Sequence, residues 1–338
     1  MNKKVIIIGN SHPSSIENMF YNSFKRNNIK VNFFDPNKSL SKIINNKLKI
    51  KFFRFIYFHY YNCAIYKYLC FNQKNNIIFF FKGESLNFQF LKNIKKKFNN
   101  NIYINYNTDN PFFDDLNINK KIRACIECFD YYFTWSKDIK NIIIKKKIKD
   151  PNSVVYLPFA YDQRYRDSLL FNKSTLIKKV LFYGSWDKER EKILSKIKSD
   201  KIEIYGNAWH KSSLQFQKNY KIFFRDIYGS ELVKKIRKYS ACLNINRKQV
   251  NNAHNMRLFE VTGYGGLIIT PETPETNFFF KNNKSVIMYN SLITLKKILK
   301  EDFTKKHFLK MRNKSFKISK DHSYDKRILK ILRTISNV

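Results

Sequence analysis

The sequence predicts an α/β protein of two domains, each built on an open parallel sheet. Three observations predict it. Short apolar runs alternate with helix-like segments along the chain. The alternation pauses once, in the polar stretch 160–178. The 338 residues, 43% of them hydrophobic, suit two domains with real cores. Alternation of this kind marks βαβ units. Two open sheets facing each other would leave a ligand cleft between their carboxyl edges.

The first half supplies six runs. "KVIIIGN" opens as a buried strand ending at Gly9, and residues 14–28 read as a helix capped by Ser14 or Ser15. Strands follow at 31–35 and 76–83. Leu86, Phe90, Leu91, Ile94 and Phe98 keep helical spacing over 85–98. "IYINYNTDNP" is a strand running into a turn that Pro111 fixes, and 131–136 and 154–159 are strands flanking a basic helix. "KFFRFIYFHYYNCAIYKYLCFN" (51–72) carries Lys51, Arg54, His59 and Lys67 among its aromatics, which suits an amphipathic helix on a membrane surface and equally a helix packed in the core of its own domain, the expectation taken here.

The second half repeats the rhythm. "KVLFYGSW" and "IEIYGNAW" are strands ending in a glycine and a loop, with a helix at 187–198 between them. Ser230 is placed to cap a helix that turns Leu232, Val233, Ile236 and Tyr239 inward. "ACLNIN", "LIIT" and "SVIMY" are strands, 291–300 is a helix, and a last helix covers 325–336. Trp186 and Trp209, after strand–glycine corners, suit core packing or a pocket wall.

Charge and cysteines narrow the class. The net charge is +39, with 65 Lys and Arg against 26 Asp and Glu. An anionic partner would explain this, and so would the drift of an AT-rich coding sequence toward Lys, Asn, Ile, Phe and Tyr. The lysines are scattered, which favours drift over a dedicated nucleic-acid binder. Drift leaves the surface able to attract an anionic membrane. Five cysteines without a framework suit a reduced, cytoplasmic chain, and Cys125–Cys128 alone completes no zinc site. The apolar run Val5 to Ile8 is short for a secretory leader, and no stretch has the length of a membrane span.

"NMRLFEVTGYGGLIIT" (255–270) spends three of the chain's eight glycines in four residues. Residues 252–263 read as a helix, whose start would offer free N–H groups to a phosphate. Arg257 and Glu260 are i,i+3 and share one face. One suits a diphosphate and the other a pair of ribose hydroxyls. Gly263, Gly265 and Gly266 would end the helix and let backbone approach closely. The alternative is a surface ion pair and an ordinary helix end.

Several blocks together resemble the CgeB-like, spore-maturation-type glycosyltransferases. They are "VLFYGSWDKER", "IEIYGNAW", "ACLNINR", "NMRLFEVTGYGG" and "KDHSYDKRILKIL", with "NTDNPF", "FDYYFTWS" and "VVYLPFAYD" in the first half. The resemblance implies the GT-B fold: two Rossmann-like α/β domains facing across a cleft, with a C-terminal helix crossing back to the first. The expected division is 1–165 for an acceptor-side domain, 166–178 for a linker, 179–318 for a donor domain and 319–338 for the crossing helix.

The resemblance also implies transfer of a sugar from a nucleotide-diphosphate donor, and the leading function is then a cytoplasmic glycosyltransferase acting on a glycan or lipid-linked acceptor at the inner face of a membrane. Gly184, Trp186, Arg190, Asn255, Arg257, Glu260, Gly265 and Gly266 fall on its donor-binding blocks. Many relatives of the wider fold carry a first glutamate eight residues before the position of Glu260, and here it is Asn252. No metal and no cofactor are expected beyond the nucleotide sugar as co-substrate. "FFDD" (112–115) follows a proline turn, and basic side chains with a helix end would meet the leaving group. An inverting transfer needs a base on the first domain. Asp109, after a strand, is the first choice, then His12 and Glu84. His322, Tyr324 and Arg327 suit a structural role near the last helix. A fold that binds without turnover, or a basic nucleic-acid binder, are the competing functions.

Overall fold

The computed structural model describes residues 3–41, 54–73, 75–114, 117–166, 176–282 and 284–336. The chain divides into two compact units, 1–158 with 327–338, and 159–326. Most of the expected linker lies outside the described residues.

The first unit holds one six-stranded sheet. Its strands are β1 (Lys4–Ile8), β2 (Val31–Phe34), β3 (Asn76–Phe81), β4 (Ile102–Asn107), β5 (Tyr131–Thr134) and β6 (Val154–Tyr156). All are parallel, in the order β2-β1-β3-β4-β5-β6. Strands covered on both faces are apolar throughout, and "NIIFFF" of β3 is buried along its whole length. Its helices are α1 (Ile16–Arg26), α2 (Pro36–Ser41), α3 (Arg54–Cys70), α4 (Phe88–Lys97), α5 (Asn117–Cys125) and α6 (Lys137–Lys145). Ser15 caps α1, its hydroxyl accepting from the Asn18 amide. Helix α3 packs one face into the core, and residues 51–53 of the expected helix lie outside the described residues. Ile65 and Leu69 are fully buried, but Ile56, Tyr60 and Phe71 just beyond it are exposed, so one face only is core.

The second unit holds β7 (Ile177–Tyr183), α7 (Lys188–Ile197), β8 (Ile202–Tyr205), α8 (Leu214–Asn219), β9 (Lys221–Phe223), α9 (Gly229–Lys238), β10 (Tyr239–Leu243), α10 (Met256–Gly263), β11 (Ile268–Pro271), α11 (Pro274–Phe279), β12 (Ile287–Tyr289), α12 (Leu292–Leu299) and α13 (Lys306–Ile318). Its sheet is also parallel, in the order β12-β11-β10-β7-β8-β9. The last helix, α14 (Tyr324–Ser336), belongs to the first unit from Arg327 onward. There Arg327 donates to the Pro158 carbonyl at 2.9 Å and Lys330 to that of Tyr156.

Two local expectations are corrected. Helix α9 opens at Gly229 with Tyr228 at its cap, so Ser230 is inside it, and Tyr239 already starts β10. Helix α10 starts at Met256 rather than 252, because Lys248–Val250 forms a 3-10 turn first. Among the described residues no helix is long and apolar enough to cross a membrane.

Candidate active site

Each sheet has one point where strand order reverses. In parallel α/β sheets that point opens a crevice outside the carboxyl ends of the strands. In the second unit the reversal lies between β7 and β10. The loops after these strands carry Gly184–Trp186 and Asn244–Asn255, the blocks that the sequence singled out.

Gly184 is the pivot. Its φ is +145°, and a Cβ there would stand 2.2 Å from Arg257 Nη2 and 3.2 Å from Arg190 Nη1. Two guanidiniums thus converge on one bare backbone position. Arg257 is aimed by its Nε, which donates to the Tyr183 carbonyl at 2.7 Å. Arg190, on the first turn of α7, is 3% exposed. Its Nη1 and Nη2 donate to the Ser185 and Ile245 carbonyls at 2.9 and 3.4 Å, and its Nε is buried without a partner. Among the described residues no ion pair reaches it. Burial pushes this guanidinium down to about 8, and repulsion from Arg257 and Arg247 adds to the effect. Desolvated cations this close ask for an anion.

Glu260 lies one turn along α10 from Arg257 and is 4% exposed. Its Oε2 accepts from the Tyr183 hydroxyl at 3.0 Å. Among the described residues no donor reaches its other oxygen. Burial raises its pKa, against the pull of Arg257 and the Tyr183 hydrogen bond. Asn255, at the N-cap of α10, does not cap the helix. Its Nδ2 donates to Asn244 Oδ1 at 2.7 Å and Asn246 Oδ1 at 2.8 Å. The first amides of α10 are therefore left without a side-chain cap, beside the guanidiniums.

Trp186 is half-buried, and its indole donates to Glu191 at 2.7 Å. Trp209 is fully buried and donates to the Gly184 carbonyl, so it belongs to the core that fixes the pivot. Gly265 and Gly266, expected on a donor-binding block, have local structural roles. Gly265 turns the chain at φ +82° and its carbonyl accepts from Arg312. A Cβ on Gly266 would meet Ile236 and Val261 at 2.6 and 2.7 Å, and one on Gly263 would meet the Tyr161 ring at 2.4 Å. Gly263 and Gly266 serve packing at the far end of α10, and Gly265 supplies a left-handed turn.

Sequence reasoning missed two supports of this site. His254 is buried, with Nδ1 2.6 Å from Glu275 and Nε2 accepting from the Phe159 amide, and it steadies the chain entering α10. Arg312 of α13 donates to the carbonyls of Gly265, Tyr239, Ile236 and Arg237, which ties α10 to the end of α9. Tyr324 also braces α10, its hydroxyl 3.4 Å from Met256 Sδ.

In the first unit the reversal lies between β1 and β3. A cavity of about 460 Å³ opens there, lined by the loop after β1 and the loop after β3. His12 and Glu84 line it, and so does Lys82, which pairs with Asp109 at 3.2 Å and Glu84 at 3.9 Å. The three candidate bases therefore gather at one place. Glu17, on the first turn of α1, joins them as a buried carboxylate whose pKa burial raises. A hint of it was legible, since an acid just after Ser15 suits a helix start. Cys125 and Cys128 are both buried, and burial raises both thiols. Among the described residues no three His, Cys, Asp or Glu side chains are grouped to hold a metal ion.

Residues 178–333 match a family model described as "Glycosyl transferase-like". The match covers a little under half of the chain. No curated protein matches the chain in sequence. Solved structures match the fold from end to end. HepE of Anabaena, solved with UDP-glucose, has a TM-score of 0.67 at 9% identity, over 99% of this chain and 100% of its own. A glycosyltransferase of Rickettsia africae has a TM-score of 0.67 at 12% identity, over 100% of both chains. The N-terminal domain of trehalose-6-phosphate phosphatase from Candida albicans has 0.68 at 12%, over 99% and 97%. The fold is GT-B, and the domain match with the fold supports a glycosyltransferase.

Proposed function

We propose that the protein moves a glycosyl group from a nucleotide-diphosphate sugar to a hydroxyl of a glycan or lipid-linked acceptor. Within the GT-B transferases it is CgeB-like, and it works in surface polysaccharide or glycoconjugate synthesis at the cytoplasmic face of a membrane. The observation that carries this reading is the convergence of Arg190 and Arg257 on Gly184. Two fixed guanidinium forks match the oxygens of a diphosphate. They also stabilise the charge that grows on the leaving group, with the uncapped start of α10 beside them. The unbonded oxygen of Glu260 suits a ribose hydroxyl. HepE was solved with UDP-glucose and with UDP, which supports a nucleotide sugar as the donor. In this scheme basic side chains and a helix end take the part of a metal.

The acceptor side is the cavity at Lys82. Asp109, His12 and Glu84 are the groups proposed to take the acceptor proton. Glu17 joins them, because a carboxyl raised by burial is a stronger base once ionised. Calorimetric titration with UDP tests the donor site. Arg257→Gln should weaken binding by about 10- to 100-fold, the cost of losing a charge-assisted contact. Equal affinity in the variant would refute the assignment of the diphosphate.

A further inference from the structure

The loop after β10 is tied to the donor-binding residues on both sides of Arg247. The Ile245 carbonyl accepts from Arg190 Nη2 at 3.4 Å, and Asn246 Oδ1 accepts from Asn255 Nδ2 at 2.8 Å. Lys248 Nζ lies 3.1 Å from Glu189, the residue before Arg190. The 3-10 turn Lys248–Val250 then ends at Asn251, which holds a φ of +46°. A residue other than glycine keeps that conformation only where its surroundings impose it. The backbone at Arg247 is therefore fixed beside the site.

Its side chain is not fixed. Arg247 is exposed, and it leads the 3-10 turn without a side-chain bond. Among the described residues no hydrogen bond or ion pair holds its guanidinium. Two Cα steps of about 3.8 Å separate it from Ile245, a span that an arginine side chain can fold back across. Its charge already reaches the buried pair. Burial lowers Arg190 and Arg257, and repulsion from Arg247 lowers both further. Three guanidiniums thus share one field, two of them buried and held, the third exposed and unheld.

The chemistry gives that difference a use. A nucleotide-diphosphate sugar carries one negative charge on each phosphate. In the transfer the bond between the anomeric carbon and the β-phosphate oxygen breaks. Its electron pair stays on that oxygen, the acceptor oxygen bonds the carbon, and the acceptor proton passes to the base. The departing nucleoside diphosphate carries a third charge. We infer that Arg247 is a leaving-group contact, closing on the charge that appears at the β-phosphate as the sugar departs. Arg190 and Arg257 balance the charges of the intact donor. A third guanidinium buried beside them would add desolvation and repulsion to the empty site. An exposed one avoids both and engages when the third charge forms. Such a contact lowers the barrier without tightening the donor. The inference rests on the proposed donor site, and it can fail while that site stands.

The test is calorimetric titration of UDP and of UDP-glucose into the full chain at pH 8, where the terminal phosphate of UDP is ionised. Arg247→Gln should weaken UDP about 10-fold or more, the loss of a charge-assisted contact. It should weaken UDP-glucose less than about three-fold, because the intact donor lacks the charge that Arg247 meets. Arg257→Gln should weaken both ligands alike. Lys310→Gln is the control for diffuse charge. It lies on α13, whose Arg312 bonds the Tyr239 carbonyl at the amino end of β10, the edge opposite the crevice. It should change neither affinity by more than about two-fold. Equal losses of UDP and UDP-glucose in Arg247→Gln would overturn the inference and make Arg247 a contact of the intact donor. Unchanged UDP affinity, or a loss that Lys310→Gln matches, would overturn it as well. Wild-type protein that binds neither ligand would refute the donor site itself, and this contact with it.

Discussion

Arg190→Met separates binding from stability at the proposed diphosphate site. The wild-type side chain is 3% exposed, with two bonds to carbonyls and no counter-ion among the described residues. Methionine gives up those bonds, about 1 kcal/mol each. It also removes a buried charge whose desolvation costs several kcal/mol. The net change in the empty protein is a gain of roughly 1–3 kcal/mol. For a unit of this size that raises the melting temperature by about 2–12 °C. Donor binding moves the other way, losing about 1.5–3 kcal/mol, or roughly 10- to 150-fold in Kd. Thermal unfolding with and without UDP reads both effects at once. A variant that melts lower than wild type and binds UDP equally would refute the reasoning, because Arg190 would then be a structural residue already satisfied.

Two further substitutions test neighbouring claims. Burial raises Glu260 above its usual 4.5, so between that value and the raised one the native state holds a proton that the unfolded state has lost. Wild-type stability therefore falls as pH rises through this window, and Glu260→Gln should gain on wild type over the same window and then level off. A melting difference that is flat from acid to neutral pH would contradict the buried carboxylate. Gly263→Ala places a methyl 2.4 Å from the Tyr161 ring and should destabilise by about 1–3 kcal/mol. Per folded molecule, UDP affinity should stay near wild type, and a selective loss of affinity would return this glycine to the ligand.

Much of the fold is legible in the sequence. Runs such as "VIII" and "NIIFFF" read as strands covered on both faces, and they set the sheets. Gly184 and Arg190 could be named because "VLFYGSWDKER" resembles a family block. Their partnership could not, since the chain says nothing of which loops a strand reversal brings together. The reversal of the first sheet, between β1 and β3, likewise brings His12 to the loop of Lys82 and Glu84, a meeting that no sequence pattern announces. Helix α13 escaped because its inward positions are Phe308, Met311, Arg312 and Ser315, and two of the four are polar. An apolar periodicity cannot find a helix whose buried arginine is its purpose. The glycines at 263–266 were misjudged for a related reason. A bare Cα serves a ligand or a neighbouring side chain equally well, and only the positions of Tyr161 and Ile236 decide.

The central claim is that a nucleotide-diphosphate sugar binds the second unit on Arg190, Arg257 and Glu260. The most direct measurement is a thermal-shift panel of UDP-, GDP- and CMP-linked sugars on the wild type and on Glu260→Ala. At a hundred-fold excess over Kd a true donor adds about 2.7 kcal/mol, a shift of several degrees. A shift with one nucleotide sugar that disappears in Glu260→Ala is the predicted result. No shift with any of them, at low salt and with divalent ions present, would contradict the claim and leave GT-B as a statement about fold alone.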